Sequence, residues 1–136
     1  MRVNGIGIAG WLAAFCVFVA ARNAVAAPPV ERGRYLVEHV AMCGECHTPR
    51  QEDGTLDRDH WLGGAPVPVQ PPPFVAAWAI TAPRIAGLAT YTDEQAIRLF
   101  TAGVARNGQP LRAPMPQFRF TRDDAEAVLA YLRAQH

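Results

Sequence analysis

Cys43-Gly44-Glu45-Cys46-His47 decides how the rest of this chain is read. Two cysteines separated by two residues, with a histidine immediately after, form the attachment signature of a c-type haem. The chemistry explains the spacing. Each thiol adds across one of two vinyl groups on adjacent edges of the macrocycle, and the short stretch wraps that edge with both sulfurs in reach. His47 then falls beneath the iron, where its imidazole supplies the proximal ligand. Three other readings use part of the same pattern. A thioredoxin-like redox pair needs no following histidine and expects a βαβ pattern that the chain lacks. A structural zinc site needs four ligands, and no second Cys-x-x-Cys or closely spaced histidine pair follows. A plain disulfide across two intervening residues has poor geometry.

Working back from the motif, Val30 to Met42 reads as a helix that delivers it. Tyr35, Leu36, Val37, Val40 and Ala41 are apolar among Glu31, Arg32, Arg34 and Glu38. Gly33 inside this helix costs ~1 kcal/mol relative to alanine. A second helix crossing closely at that point would explain it. Further back, Val3 to Ala21 carries no charge, Arg2 precedes it, and Ala24-Val25-Ala26 places small residues where a signal peptidase reads. This is the pattern of a secretory signal over residues 1–26, leaving a domain over 27–136. An uncleaved anchor is the alternative, since the uncharged run is just long enough to span a bilayer. Cys16 follows Phe15, not a small residue, and is not a lipid-attachment cysteine. Export to the periplasm suits the haem reading. In an oxidising compartment the two thiols need a cap, and thioether formation provides it.

Working forward, Thr48-Pro49-Arg50 ends any helix, and Asp53-Gly54 marks a turn in a polar stretch. Pro66, Pro68 and Pro71-Pro72-Pro73 stiffen a long loop. The neighbouring Trp61, Phe74 and Trp78 suggest that this loop packs on something apolar. Thr92-Asp93-Glu94-Gln95 is a capping box, Ala96, Leu99, Phe100 and Val104 form an apolar stripe, and Asn107-Gly108 is the expected stop. Met115 sits between Pro114 and Pro116, which forbid a helix and hold its backbone extended. That suits presenting a thioether at a fixed point, and Met115 is the candidate distal ligand. His60 is the rival. His39 lies on the proximal helix, and Met42 is held on the wrong side by the adjacent Cys43. Thr121 caps a last helix with Asp123 and Asp124 in its first turn; Ala125, Val128, Leu129 and Leu132 form its stripe, with Tyr131 beside it.

Composition narrows the function. The chain has 136 residues, a formal net charge of +1 and thirteen basic residues, all of them arginine. Basic charge is dispersed, so no nucleic-acid face is expected, and a lysine-ringed docking face is excluded. Twelve prolines and eleven glycines make a loop-rich chain whose thin core needs the apolar surface of a cofactor.

The helix ending in Cys-x-x-Cys-His, the Met115 loop and the terminal Ala130-Tyr131-Leu132 together resemble a class I c-type cytochrome over roughly residues 30 to 134. Arg32-Gly33-Arg34-Tyr35-Leu36, Cys46-His47-Thr48-Pro49, Leu62-Gly63-Gly64 and Pro114-Met115-Pro116 are similar to runs in the cytochrome subunits of bacterial membrane-bound dehydrogenases. The resemblance implies an all-α fold of three or four helices with long loops wrapped around one haem. It implies Cys43 and Cys46 as the thioether residues, His47 and Met115 as the axial ligands of the iron, and a first and last helix crossing at Gly33 and Tyr131. Those subunits often carry three such motifs, whereas these residues hold one.

The expected function is therefore one-electron transfer by a covalently bound haem c, between an exported or membrane-bound dehydrogenase and a respiratory acceptor. The chain itself is expected to be no enzyme. Its partner is a redox protein, and it meets a membrane only through an uncleaved amino end or that partner. Two alternatives differ in kind. A haem enzyme or a gas or peroxide sensor needs an open distal site and an acid–base group, for which only His60 is offered. A haem-free module with a Cys43–Cys46 disulfide would be colourless. Pigment separates the last from the others, and binding of exogenous ligands separates the first two.

Overall fold

Helix α1 (Pro29–Tyr35) opens the part of the chain described by the structure, a computed structural model covering residues 29–136. The expected export segment and its cleavage site lie outside the described residues. Proline suits the first helical position, where its missing N–H would have had no partner. The helix does not run regularly to Met42. It widens into a π-helical turn over Leu36–Val40, after which Ala41 N–H donates to the Leu36 carbonyl (2.7 Å) and Cys43 N–H to that of Val37 (2.9 Å). Met42 then takes a left-handed φ of 48°. The wide turn breaks the 3.6-residue period on which the apolar stripe was read. Leu36 and Val37 are buried, whereas Tyr35 and Val40 are about half exposed. One further turn, α2 (Gly44–His47), is made by the cysteine motif itself and ends at the extended Thr48.

The middle of the chain is loop, pinned at a few points. Leu62 N–H donates to the Thr48 hydroxyl (3.0 Å), and Gly64 N–H to the His47 carbonyl (2.7 Å). Strand β1 (Ala65–Pro66) pairs antiparallel with β2 (Thr81–Ala82), Ala65 opposite Ala82 and Pro66 opposite Thr81. Of the three aromatic residues beside the proline-rich loop, Phe74 alone makes no inward packing among the described residues. Phe74 is 95% exposed and Ile80 77%. Trp61 and Trp78 are half-buried, so the two tryptophans turn toward the body of the protein.

Helix α3 (Asp93–Ala102) starts with the expected capping box. The Thr92 hydroxyl accepts from Gln95 N–H (3.2 Å), and the Gln95 amide oxygen accepts from Thr92 N–H (3.1 Å). The helix stops at Gly103, left-handed at φ 69°, and not at Asn107-Gly108. A left-handed glycine closes the last turn without a Cβ penalty. Asn107-Gly108 instead turns a small loop in which Val104 pairs with Pro110. Helix α4 (Arg122–Arg133) is capped by Thr121, whose hydroxyl accepts from Asp124 N–H (3.2 Å).

Helix α4 packs on both α1 and α3. A Cβ added to Gly33 would overlap the Ala127 carbonyl oxygen and lie 2.6 Å from its carbon and 2.8 Å from Tyr131 Cβ. The backbones of α1 and α4 therefore touch where the glycine sits, as expected. Leu36, Val37, Leu99, Phe100, Val128 and Leu132 form the core around this crossing, and Leu62 seals it from the loop side. Among the described residues, four short α-helices, one two-residue strand pair and long loops make up the expected all-α fold. No helix among the described residues is long and apolar enough to cross a membrane.

Candidate functional site

His47 ends α2 with only 5% of its surface exposed. Its Nδ1 lies 2.7 Å from the Pro83 carbonyl oxygen. A carbonyl only accepts, so Nδ1 carries the proton and Nε2 keeps its lone pair. Burial lowers the pKa of the imidazole, only partly opposed by that hydrogen bond, and so favours the neutral ring. A neutral, oriented imidazole with one free nitrogen is the form that binds a metal. The segment that follows Pro83 is tied to the body of the protein. Ile85 and Ala86 N–H both donate to Leu62 O, Gly87 N–H donates to Leu132 O (2.8 Å), and Arg133 donates to the Gly87 and Leu88 carbonyls (3.0 Å each).

Cys43 caps α2 and is buried, whereas Cys46, one turn on, is half-buried; both thiols are free. Burial pushes the Cys43 thiol up to about 11. A redox-active Cys-x-x-Cys pair needs the opposite, a lowered thiol pKa. Among the described residues no three His, Cys, Asp or Glu side chains come together in a way that could hold a metal ion, so a structural zinc set is not formed. Two thiols on either side of one turn, with a neutral imidazole at its end, suit attachment of a flat macrocycle.

Met115 is half-buried in a loop fixed on both sides. Leu111 N–H donates to Gly103 O (3.0 Å), and Ala79 N–H to Ala113 O (2.7 Å). Trp78 pairs with Ala113 of the Met115 loop, while Pro83 holds His47. The single segment Trp78–Pro83 thus touches both candidate ligand loops. His60, the rival, is exposed, and its Nδ1 lies 2.7 Å from Asp57 Oδ2. Its hydrogen bond holds Asp57 below the usual carboxylate range. His39 is exposed beside Tyr35, and Met42 is 57% exposed.

The fit to a haem has an independent mark. Trp78 Nε1 is the one buried side-chain nitrogen or oxygen among the described residues with no hydrogen-bond partner. Leaving such a donor unpaired costs ~1–3 kcal/mol. A haem carries carboxylates, which are acceptors of the kind this indole lacks. Neither Trp78 nor Pro83 stood out in the sequence as a site residue. Pro83 acts through its backbone carbonyl, for which no residue type is a signal. Trp78 was visible only as an aromatic beside the proline-rich loop.

The cytochrome c family model matches residues 30–135. A diheme cytochrome c-type protein of Cereibacter sphaeroides is 60% identical over 42 residues, 31% of this chain and 14% of that protein. The fructose dehydrogenase cytochrome subunit of Gluconobacter japonicus is 31% identical over 108 residues, 76% of this chain and 21% of that protein. The chain therefore matches about a fifth or less of the length of these relatives. With the matched region spanning α1 to α4, the chain belongs to the cytochrome c family, and its folded domain is an electron-transfer module for covalently bound haem c.

Proposed function

We propose that residues 27–136 form an exported, monohaem electron carrier, with thioether bonds at Cys43 and Cys46 and axial ligation by His47 and Met115. The observation that carries this reading is His47: buried, neutral, fixed through Nδ1 by Pro83, and one residue from a pair of free thiols. The bound haem supplies a one-electron couple between ferric and ferrous iron. Everything else falls to the chain. Cys43 and Cys46 hold the macrocycle by its edge, so it is not lost in either oxidation state. Pro83 keeps the His47 ring from rotating, which keeps reorganisation on electron transfer small. Met115 would supply a soft thioether as the second protein ligand, which would favour the ferrous state and leave no site for oxygen or peroxide. The engagement of His60 with Asp57 supports this choice over a sensor or enzyme with a histidine on the distal side.

Residues 1–26 act in this reading as a cleaved secretory signal that delivers the domain to the periplasm. The redox partner is a dehydrogenase, by analogy with the cytochrome subunit of fructose dehydrogenase, and the acceptor belongs to a respiratory chain. Removal of residues 1–26 leaves twelve acidic residues and eleven arginines, so encounter with the partner is steered only weakly by charge. Such redox contacts are small and transient.

Export in a host with c-type cytochrome maturation tests this function directly. The purified protein is expected to have the mass of a chain cleaved near Ala26 plus one haem, and to titrate reversibly as a single one-electron couple. A colourless protein, or one whose haem is released by acid and organic solvent, would sink the attachment reading.

A further inference from the structure

The segment after Thr48 folds back onto the cysteine motif and lays Trp61 against Gly44. A Cβ added to Gly44, between the two cysteines, would overlap Trp61 at Cζ3 and Cη2 and lie 3.3 Å from Cζ2. The indole therefore occupies the space that a side chain at position 44 would take. Its Nε1 donates to the Tyr131 hydroxyl (3.2 Å), which in turn donates to Glu38 Oε1 (2.7 Å). Three parts of the chain meet there: the loop, α4, and the π turn that leads into the motif. Burial first, then the bond to Glu38, pushes the Tyr131 phenol up to about 12, so it stays neutral and keeps donating. The Arg58 guanidinium lies 4.2 Å from the centroid of the Trp61 ring. No carboxylate among the described residues forms an ion pair with it.

We infer that Trp61 is a positioning residue for the haem-attachment turn: it keeps water off the Gly44 side of that turn and holds the unpaired charge of Arg58 over it, and together they keep the reduction potential high. The inference rests on haem attachment at Cys43 and Cys46, not on the identity of the distal ligand. Loss of an electron makes the iron centre more positive. A less polarisable surrounding and a fixed cation nearby both oppose that change and favour the reduced state. Neither residue touches the iron or its ligands in this account. They act through the turn.

Equilibrium redox titration of the holoprotein tests this in wild type, Trp61→Ala, Trp61→Phe and Arg58→Gln. Trp61→Ala is expected to lower the midpoint most, since it admits water and frees Arg58. Arg58→Gln is expected to lower it less, and its gap from wild type should shrink as salt screens the lost charge. Trp61→Phe keeps a ring over the turn but loses the bond to Tyr131, and should fall between wild type and Trp61→Ala. A purely structural role would not produce the salt-dependent gap. Midpoints of fully loaded Trp61→Ala and Arg58→Gln equal to that of wild type at low salt would overturn the inference. If Trp61→Ala yields too little holoprotein, unchanged midpoints in Trp61→Phe and Arg58→Gln overturn it equally. Absence of covalent haem in the wild type would instead defeat the attachment reading on which it stands.

Discussion

Gly33→Ala is expected to destabilise the protein by about 2–3 kcal/mol, as overpacking of a tight contact does. At a few degrees per kcal/mol for a domain of this size, the midpoint of thermal unfolding should fall by ~10 °C. On an isolated helix the same change would stabilise by ~1 kcal/mol, because alanine is the better helix former. The crossing reverses the sign. The added methyl meets the Ala127 carbonyl and Tyr131 Cβ, and neither is the far end of a flexible side chain that can swing away. The helices must separate, and the contacts of Leu36 and Val37 with α4 loosen with them. Thermal unfolding followed by far-ultraviolet circular dichroism checks this. A midpoint at or above that of the wild type would mean that α1 and α4 do not touch at Gly33.

Met115→Ala is expected to leave haem attachment intact and to change everything that depends on the sixth ligand. The ferrous variant should bind carbon monoxide, which the wild type is expected to exclude. The potential should fall by ~0.2 V, a fraction of the ~0.8 V range that axial ligands span. The direction follows from the softness of the thioether, which favours ferrous iron; water or a vacancy in its place does not. The rest of the loop should hold, because it is tied by backbone bonds from Ala79 and Leu111 that do not involve the Met115 side chain. Potentiometry together with a carbon monoxide titration measures both effects. A variant that retains the wild-type potential and excludes carbon monoxide would assign the distal position to another residue, with His60 the first to test.

Features with a local physical cause were legible in the sequence. Gly33 was legible because a glycine inside a helix carries a cost that something must offset, and close backbone contact is one of few ways to offset it. Thr92 and Thr121 were legible because a cap is a property of four consecutive residues. The cysteine motif was legible because the cofactor itself dictates its spacing. Features set by tertiary contact were hidden. The π turn over Leu36–Val40 adds a residue to the ring of each hydrogen bond, and no residue type announces that. The Pro83 carbonyl that fixes His47 lies 36 residues away in the chain. The end of α3 was misplaced because Gly103 and Asn107-Gly108 are both stop signals, and the nearer one acts first. Phe74 follows three prolines and is 95% exposed, a placement that its residue type does not announce. The contact of Trp61 with Gly44 is likewise tertiary, joining positions that lie apart in the chain.

The far-red absorption of the ferric wild-type holoprotein tests the central claim, His47 and Met115 as the two axial ligands, most directly. Ligation by His47 and Met115 predicts a low-spin c-type spectrum with the weak band that arises from charge transfer between a methionine sulfur and ferric iron. It also predicts no change in the ferrous spectrum on adding carbon monoxide. A high-spin ferric spectrum without that band, and ready carbon monoxide binding by the ferrous protein, would contradict it and make this a ligand-binding haem.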